Sequence, residues 1–479
     1  MFFPAFIRII CVLLAVIGLS MLLPASAACA YGEYSLLPVF LIPLAVSLTA
    51  GIAAFITVKK RQVVFSMRNA FAIVALCWIC TCIYGTLPFV LSGSVRNPVD
   101  AFFESVSGFT TTGATVLDDV ECLPKSIILW RCQTHWLGGM GIVALTVAIF
   151  PLLGIGGFQL IKAETTGPEK EKVTSRIATT AKMLWIIYMI MTLIEIIALK
   201  LAGMGILDAL CHAFSIAGTG GLSSRNASVA AFHSPKIEVI CTVFMFLGSI
   251  NYTVYCYAVT GRFSNIKNNT ELKVQTGIYL SSVLIIAVIL FPVYRWSSFR
   301  YSAFESAAVM STTGLSITDY TLWPPAAQFI LFLLFFTGGA SGSTSGGIKV
   351  IRWVILYKQV ANEMRRMLHP HGIFSIRLNG RAGRKDVVFN ATAFITLYIM
   401  LACIVTFCGC LANLDLLSSC TGSLAMLGNI GPAFGKFGPR YSYGSLPDCM
   451  KVLYSFAMLA GRLELYTMLI FFVPWYWKK

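Results

Sequence analysis

Long apolar runs recur along the chain, most of them close to the ~20 residues that cross a bilayer as a helix. Short stretches of small and polar residues separate them. Two runs come first, at about 9–23 and 36–58. From about residue 70 a rhythm sets in of run, short broken segment, run. It uses 70–92 and 125–152 around a segment ending at Gly113, then 181–203 and 236–260 around one ending at Gly221. The last two copies use 274–294 and 324–350 around Gly314, and 387–410 and 448–474 around Gly431. Recurrence of one supersecondary unit marks an internally repeated fold. The pattern predicts an all-α polytopic membrane protein with a two-span N-terminal hairpin over 1–68. Four pseudo-symmetric units of span, pore loop and span follow around one central pore, over 69–160, 161–262, 263–385 and 386–479. Ala25-Ser26-Ala27 resembles a signal-peptidase site, but the second run ends at Lys59-Lys60-Arg61, so the first run reads as the retained arm of a hairpin.

The broken segments carry the candidate chemistry. Glu104 to Gly113 and Glu305 to Gly314 are closely alike, and His212 to Gly221 and Gly422 to Gly431 are weaker copies with the same ending. A cation crosses lipid only when something replaces its hydration water, and rings of backbone carbonyls do so. The backbone must then leave helical geometry, which is tolerated at membrane depth where it is buried or lines a cavity. Glycine permits the unusual dihedrals and the close approach of four strands. The candidate filter is therefore Thr111-Thr112-Gly113, Thr219-Gly220-Gly221, Thr312-Thr313-Gly314 and Asn429-Ile430-Gly431. The residues before each filter, at about 100–109, 207–217, 302–310 and 416–427, are expected to form short pore helices whose C-terminal dipole ends favour a cation.

A second stretch breaks an apolar run. Gly338, Gly339, Ser341, Gly342, Ser343, Thr344, Gly346 and Gly347 make a flexible segment beyond the Gly314 loop, with Lys349 at its end, and read as a gate. Arg462 and Glu464 lie in the final run. Intramembrane charges usually face a cavity or a partner, so Arg462 is expected below the filter, repelling cations or holding the Gly/Ser segment through its carbonyls.

Composition narrows the alternatives. With 57% hydrophobic and 12% charged residues the chain is not a soluble globular protein. Its formal charge of +16 does not point to nucleic acid, because the basic residues cluster in loops between spans. Those at 59–68, 162–176, 262–273, 349–385 and 478–479 fall on one side of the predicted topology, which should be cytoplasmic together with both termini. Asp100, Asp118, Asp119, Glu121, Asp208, Asp319 and Asp448 fall on the other, so all four pore loops enter from outside. The 15 cysteines show no metal spacing. Gly339-Ala-Ser-Gly342 looks like the nucleophile motif of an intramembrane serine protease, but no histidine follows position 371 to serve as base in a later span. An ion-coupled secondary solute transporter is the stronger alternative, since broken helices and internal repeats occur there, although it does not require four equivalent filter loops.

Together these residues resemble the TrkH/TrkG branch of the Trk/Ktr/HKT superfamily. The likeness runs over nearly the whole chain and includes Trp130 to Gly141, Gln159 to Pro168, the four filters, Gly338 to Arg352 and Gly461 to Glu464. It implies potassium as the transported ion, taken up across a bacterial inner membrane by a non-enzymatic protein. It further implies a homodimer and a cytosolic TrkA-type regulatory subunit, the only component that binds nucleotide. The family's selectivity glycines fall on Gly113, Gly221, Gly314 and Gly431, its gating loop on Gly338–Gly347 and its pore arginine on Arg462. Serine at the first glycine goes with sodium permeation in that family, so Gly113 implies potassium selectivity. Gly218 and Leu222 depart from the usual pattern at the second filter.

Overall fold

A computed structural model describes residues 2–57, 67–139, 141, 177–372, 374–379, 381–382 and 385–478. Residues 140 and 142–152 of the first unit's expected second span, the basic cluster Lys59–Arg61, the Gln159–Pro168 loop and most of the 153–180 loop lie outside them.

The hairpin is built from Phe2–Ser20, which continues after a break at Met21 as Leu22–Ala30, packed antiparallel on Leu37–Thr57. The first span reaches seven residues further than expected, to Ala30, so Ala25 and Ala27 are buried in a helix. Two polar contacts fasten the hairpin to the first unit. Tyr84 donates to Ser47 Oγ at 3.0 Å. The Glu33 carboxylate accepts from Lys125 N at 2.6 Å and Ser126 N at 3.0 Å. Those amides open the first unit's second helix, where a negative charge complements both the free N–H groups and the dipole.

Each unit has a long first helix, a short pore helix and a second helix. The first helices are Met67–Leu91, Ile177–Leu201, Thr270–Tyr294 and Lys385–Leu411. The pore helices are Pro98–Phe109, Ile206–Ala217, Ser297–Met310 and Leu416–Gly428. Two of them start on strong caps: Asn97 accepts from Val99 N at 3.0 Å ahead of Pro98, and Asp415 accepts from Ser418 N at 3.0 Å. The first helices present apolar stripes outward, as at Ile186, Ile190, Leu193 and Ile197 and at Leu280, Leu284 and Val288. Pore helices are instead buried from their middle to their C-terminal ends. A polypeptide with an apolar belt outside and hydroxyls and carboxylates inside is organised for lipid, and the chain is a multi-pass membrane protein.

The second helices differ from expectation. A continuous run over 236–260 is instead Pro235–Gly248 and Tyr252–Val259, bent by 92°. The Asn251 side chain, accepting from Thr253 N at 2.8 Å, caps a new helix three residues after the old one ends. The 324–350 run is Pro325–Leu334, a loop, and then Val350–Leu368. The 448–474 run ends as helix at Arg462, because Glu464 and Leu465 adopt left-handed φ of 53° and 58°. Arg462 and Glu464 therefore sit at a helix terminus and in the break that follows it, not within a span. The third pore helix begins five residues earlier than expected, at Ser297. The only strands among the described residues are Arg377–Leu378 and Arg381–Ala382, a small antiparallel hairpin in the basic segment.

Candidate functional site

Each pore helix ends in the same backbone figure. Thr111, Thr219, Thr312 and Asn429 have φ of 54°, 54°, 57° and 53°, and two residues later Gly113, Gly221, Gly314 and Gly431 have φ of 79°, 86°, 72° and 90°. Left-handed threonine is strained, and strain of this kind persists where the surroundings over-determine it. Here the amides do so. Thr112 N donates to Ser107 O, Gly220 N to Ser215 O, Thr313 N to Ala308 O and Ile430 N to Ala425 O, at 2.7–2.9 Å. With the N–H groups turned back onto the pore helices, the carbonyls are left to the other side of the chain.

The four loops meet edge to edge. A Cβ on Gly113 would lie 2.0 Å from Gly220 O, one on Gly221 1.9 Å from Thr313 O, one on Gly314 2.0 Å from Ile430 O, and one on Gly431 2.4 Å from Thr112 O. The sequence of contacts runs from unit 1 to 2 to 3 to 4 and back to 1, so eight of the twelve predicted filter residues close a ring in chain order. All four glycines line one cavity of about 280 Å³, whose rim carries Asp118, Arg225, Asn226, Arg440 and Tyr441.

Side chains behind the ring hold the limb leaving each filter. Glu104 accepts from Thr115 Oγ1 at 3.0 Å and Val116 N at 3.2 Å and is ion-paired with the buried Arg131. Glu305 accepts from Ile317 N at 2.9 Å and Thr318 N at 3.1 Å. In unit 2 the equivalent contact is His212 Nε2 to Ser223 Oγ at 3.0 Å, and in unit 4 Phe434 N donates to Thr421 Oγ1 at 3.2 Å. Tyr443 donates to Gly431 O at 2.8 Å. The acidic outer residues are mostly engaged already. Asp208 and Glu121 pair with Arg225, and Asp100 pairs with Lys451. Hydrogen bonds from Asn226 and from Glu121 N hold the Asp119 carboxyl below the usual range.

The Gly/Ser segment lies directly against the ring. Gly346 N donates to Thr312 Oγ1 at 2.8 Å, and a Cβ on Gly346 would stand 2.4 Å from Gly428 O. Gly338 N donates to Ile348 O at 2.8 Å and Val350 N to Gly339 O at 3.3 Å, so the segment closes on itself. Ser343 Oγ donates to Ala340 O at 2.7 Å and the Lys349 ammonium to Ser345 O, which keeps Gly342 and Gly347 in a compact turn. Arg462 donates to Thr344 O at 2.6 Å and to Gly138 O and Gly139 O at 2.6 and 2.9 Å. One guanidinium thus gathers carbonyls from units 1 and 3 at the end of the unit 4 helix. Glu464 does not join it; its carboxylate pairs with Arg352, which also stacks 3.7 Å over the Phe394 ring.

Sequence reasoning missed the residues that grip this segment from outside it. Glu271 Oε1 accepts from Ser341 N at 2.7 Å and Ile351 N at 3.1 Å, clasping both ends of the loop. One turn on, Gln275 donates to Ser249 O at 3.1 Å, the break in the unit 2 helix, and Ala340 N donates to the same carbonyl at 2.8 Å. The only signal available was two polar side chains at an apolar helix start.

Four re-entrant loops closing a ring inside a bundle of lipid-facing helices define a single-chain, four-unit membrane transport protein. The chain belongs to the TrkH family, described as cation transport proteins, whose sequence profile matches residues 36–479. It is 35% identical over 99% of both chains to the Trk system potassium uptake protein TrkH of Halomonas elongata. It is 33% identical over 96% of both chains to the Trk system potassium uptake protein TrkG of Escherichia coli strain K12. The crystal structure of the potassium transporter TrkH from Vibrio parahaemolyticus superposes with a TM-score of 0.87, at 33% identity and full coverage of both chains.

Proposed function

We propose that this protein takes up potassium through the ring of filter carbonyls, and that the 338–347 loop with Lys349, Arg462 and Glu464 gates that passage. The observation that carries the reading is the closed contact cycle of the four filter glycines. A ring of carbonyls whose amides are bonded elsewhere has the chemistry to replace potassium's water. The relatives' names as potassium uptake proteins support the choice of ion and argue against an enzyme. The gate reading rests on the loop's position against the ring and on Arg462 bonded to it. The basic loops support a bacterial inner-membrane orientation with both termini cytoplasmic. The word "system" in the relatives' names agrees with a cytosolic nucleotide-binding TrkA-type subunit acting on a homodimer. The unit boundaries 69–160, 161–262, 263–385 and 386–479 follow the same reading.

Rubidium uptake into vesicles holding the purified protein, with potassium, sodium and choline as competitors, tests it. Potassium is expected to compete far more strongly than sodium. Equal competition by sodium overturns the potassium selectivity and means a looser filter than the glycines imply; no uptake in any condition, the regulatory subunit included, overturns the pore in favour of a solute transporter. The gate has its own test at Glu271. Each hydrogen bond to a charged group contributes about 1.5–3 kcal/mol, so Glu271→Ala releases both ends of the loop. Uptake without the regulator is expected to rise several-fold; unchanged uptake by a folded variant means the clasp does not hold the gate.

A further inference from the structure

The four filter loops are not braced alike, and the exception points to a residue outside them. In unit 1 the Thr110 and Thr112 hydroxyls lie 2.8 Å apart, and in unit 3 the Ser311 and Thr313 hydroxyls lie 2.6 Å apart. Each pair stiffens the turn from pore helix into filter by a bond between alternate residues. In unit 4 the Ile430 side chain packs back on Gly428, with its Cδ1 3.0 Å from where a Cβ there would sit. Unit 2 has glycine at both positions, Gly218 and Gly220, and so no side chain of its own for the purpose.

The second helix of unit 1, Lys125–Gly139, fills both gaps with one residue. A Cβ on Gly218 would meet His135 O at 2.4 Å. A Cβ on Gly220 would meet the His135 ring, 2.2 Å from Nδ1 and 2.3 Å from Cγ. The ring is fully buried and oriented by polar contacts: Nδ1 lies 2.9 Å from Ser215 Oγ on the second pore helix and 3.4 Å from Leu222 N, the first amide beyond the filter. His135 thus touches the pore helix, the filter and the outgoing limb of unit 2.

We propose that His135 is a positioning residue of the selectivity filter, a side chain lent by unit 1 that takes the place of the hydroxyl pair in units 1 and 3 and sets the Gly220 carbonyl. The assignment rests on the filter reading above. It explains why unit 2, alone among the four, has glycine at both positions: the space is already occupied. Since Gly220 O is the carbonyl met by the neighbouring Gly113, a slack unit 2 loosens the ring on the side of unit 1 as well.

The test is rubidium uptake by reconstituted full-length protein with potassium and sodium as competitors, with folding followed by monodispersity and thermal melting. His135→Ala is expected to bring potassium and sodium competition at least ~tenfold closer. His135→Asn, which keeps an acceptor near the Nδ1 position, is expected to retain part of the discrimination and serves if the alanine variant does not fold. Gly220→Ala alone is expected to lose transport because its Cβ overlaps the ring. Combined with His135→Ala, the same substitution is expected to transport again, with discrimination nearer the unmodified protein than His135→Ala gives. Wild-type discrimination in folded His135→Ala, or losses in the double variant that simply add, overturn the proposal. Gly113→Ser is run in parallel: if it too leaves discrimination intact, it is the filter reading that fails.

Discussion

Replacing Gly113 by serine is expected to collapse the preference for potassium over sodium while leaving the protein folded. Two effects act together. Gly113 sits at φ 79°, where an L side chain costs about 1–2 kcal/mol. Its Cβ would stand 2.0 Å from Gly220 O and 3.1 Å from Gly220 C, so unit 2's backbone must retreat. The neighbour is main chain, not the far end of a flexible side chain, and cannot rotate away. A ring with one carbonyl displaced no longer holds potassium on all sides, and a smaller, better hydrated cation gains relative to it. A loss of about 1.4 kcal/mol in discrimination is a tenfold change; a loss at least that large is expected. Competition of sodium against rubidium uptake measures it, and unchanged selectivity in a folded variant counts against the filter assignment.

Removing the guanidinium by Arg462→Ala is expected to raise uptake in the absence of any regulator, by roughly tenfold or more. Among the described residues the side chain makes three hydrogen bonds, to carbonyls of Thr344, Gly138 and Gly139, drawn from units 3 and 1. Bonds to a charged donor contribute about 1.5–3 kcal/mol each. Losing them leaves the loop tied to the ring mainly through Gly346 N and Thr312. The positive charge under a cation pathway goes with it. The measurement is initial rubidium influx of the variant against the unmodified protein at equal reconstituted amounts. Equal influx leaves Arg462 as a structural strut between units.

The pore helices and filter loops were legible because both depend on local rules. An apolar run that ends in Thr-Gly or Asn-Ile-Gly announces a helix stop followed by a backbone turn, whatever surrounds it, and the left-handed turns fall at Thr111, Gly113, Thr219, Gly221, Thr312, Gly314, Asn429 and Gly431, within the expected segments. The breaks at Ser249–Asn251 and at Glu464–Leu465 were not legible. Gly248-Ser-Ile-Asn251 is a weak helix former, but the 92° bend itself is held by Asn251's cap and by Gln275 reaching Ser249 from another unit. Glu464 was grouped with Arg462 by closeness in sequence. The backbone turn after Arg462 sends the carboxylate to Arg352 instead, 112 residues away.

The sequence alone determined that the chain is a four-unit membrane protein with an N-terminal hairpin, where its re-entrant segments lie, and which glycines end them. Hydrophobic periodicity and glycine dihedral freedom are properties of consecutive residues, so they can be read in order along the chain. Only the tertiary structure decided that the loops close in the order 1-2-3-4 and that Arg462 holds units 1 and 3 together. It alone showed that Glu271 accepts from Ser341 N and Ile351 N on either side of the Gly/Ser segment and that His135 occupies the space beside Gly218 and Gly220. In each case a buried carbonyl, amide or vacant Cβ position must be met by whatever group lies nearest in space. At the ring glycines, at Arg462 and at His135 that group belongs to another unit.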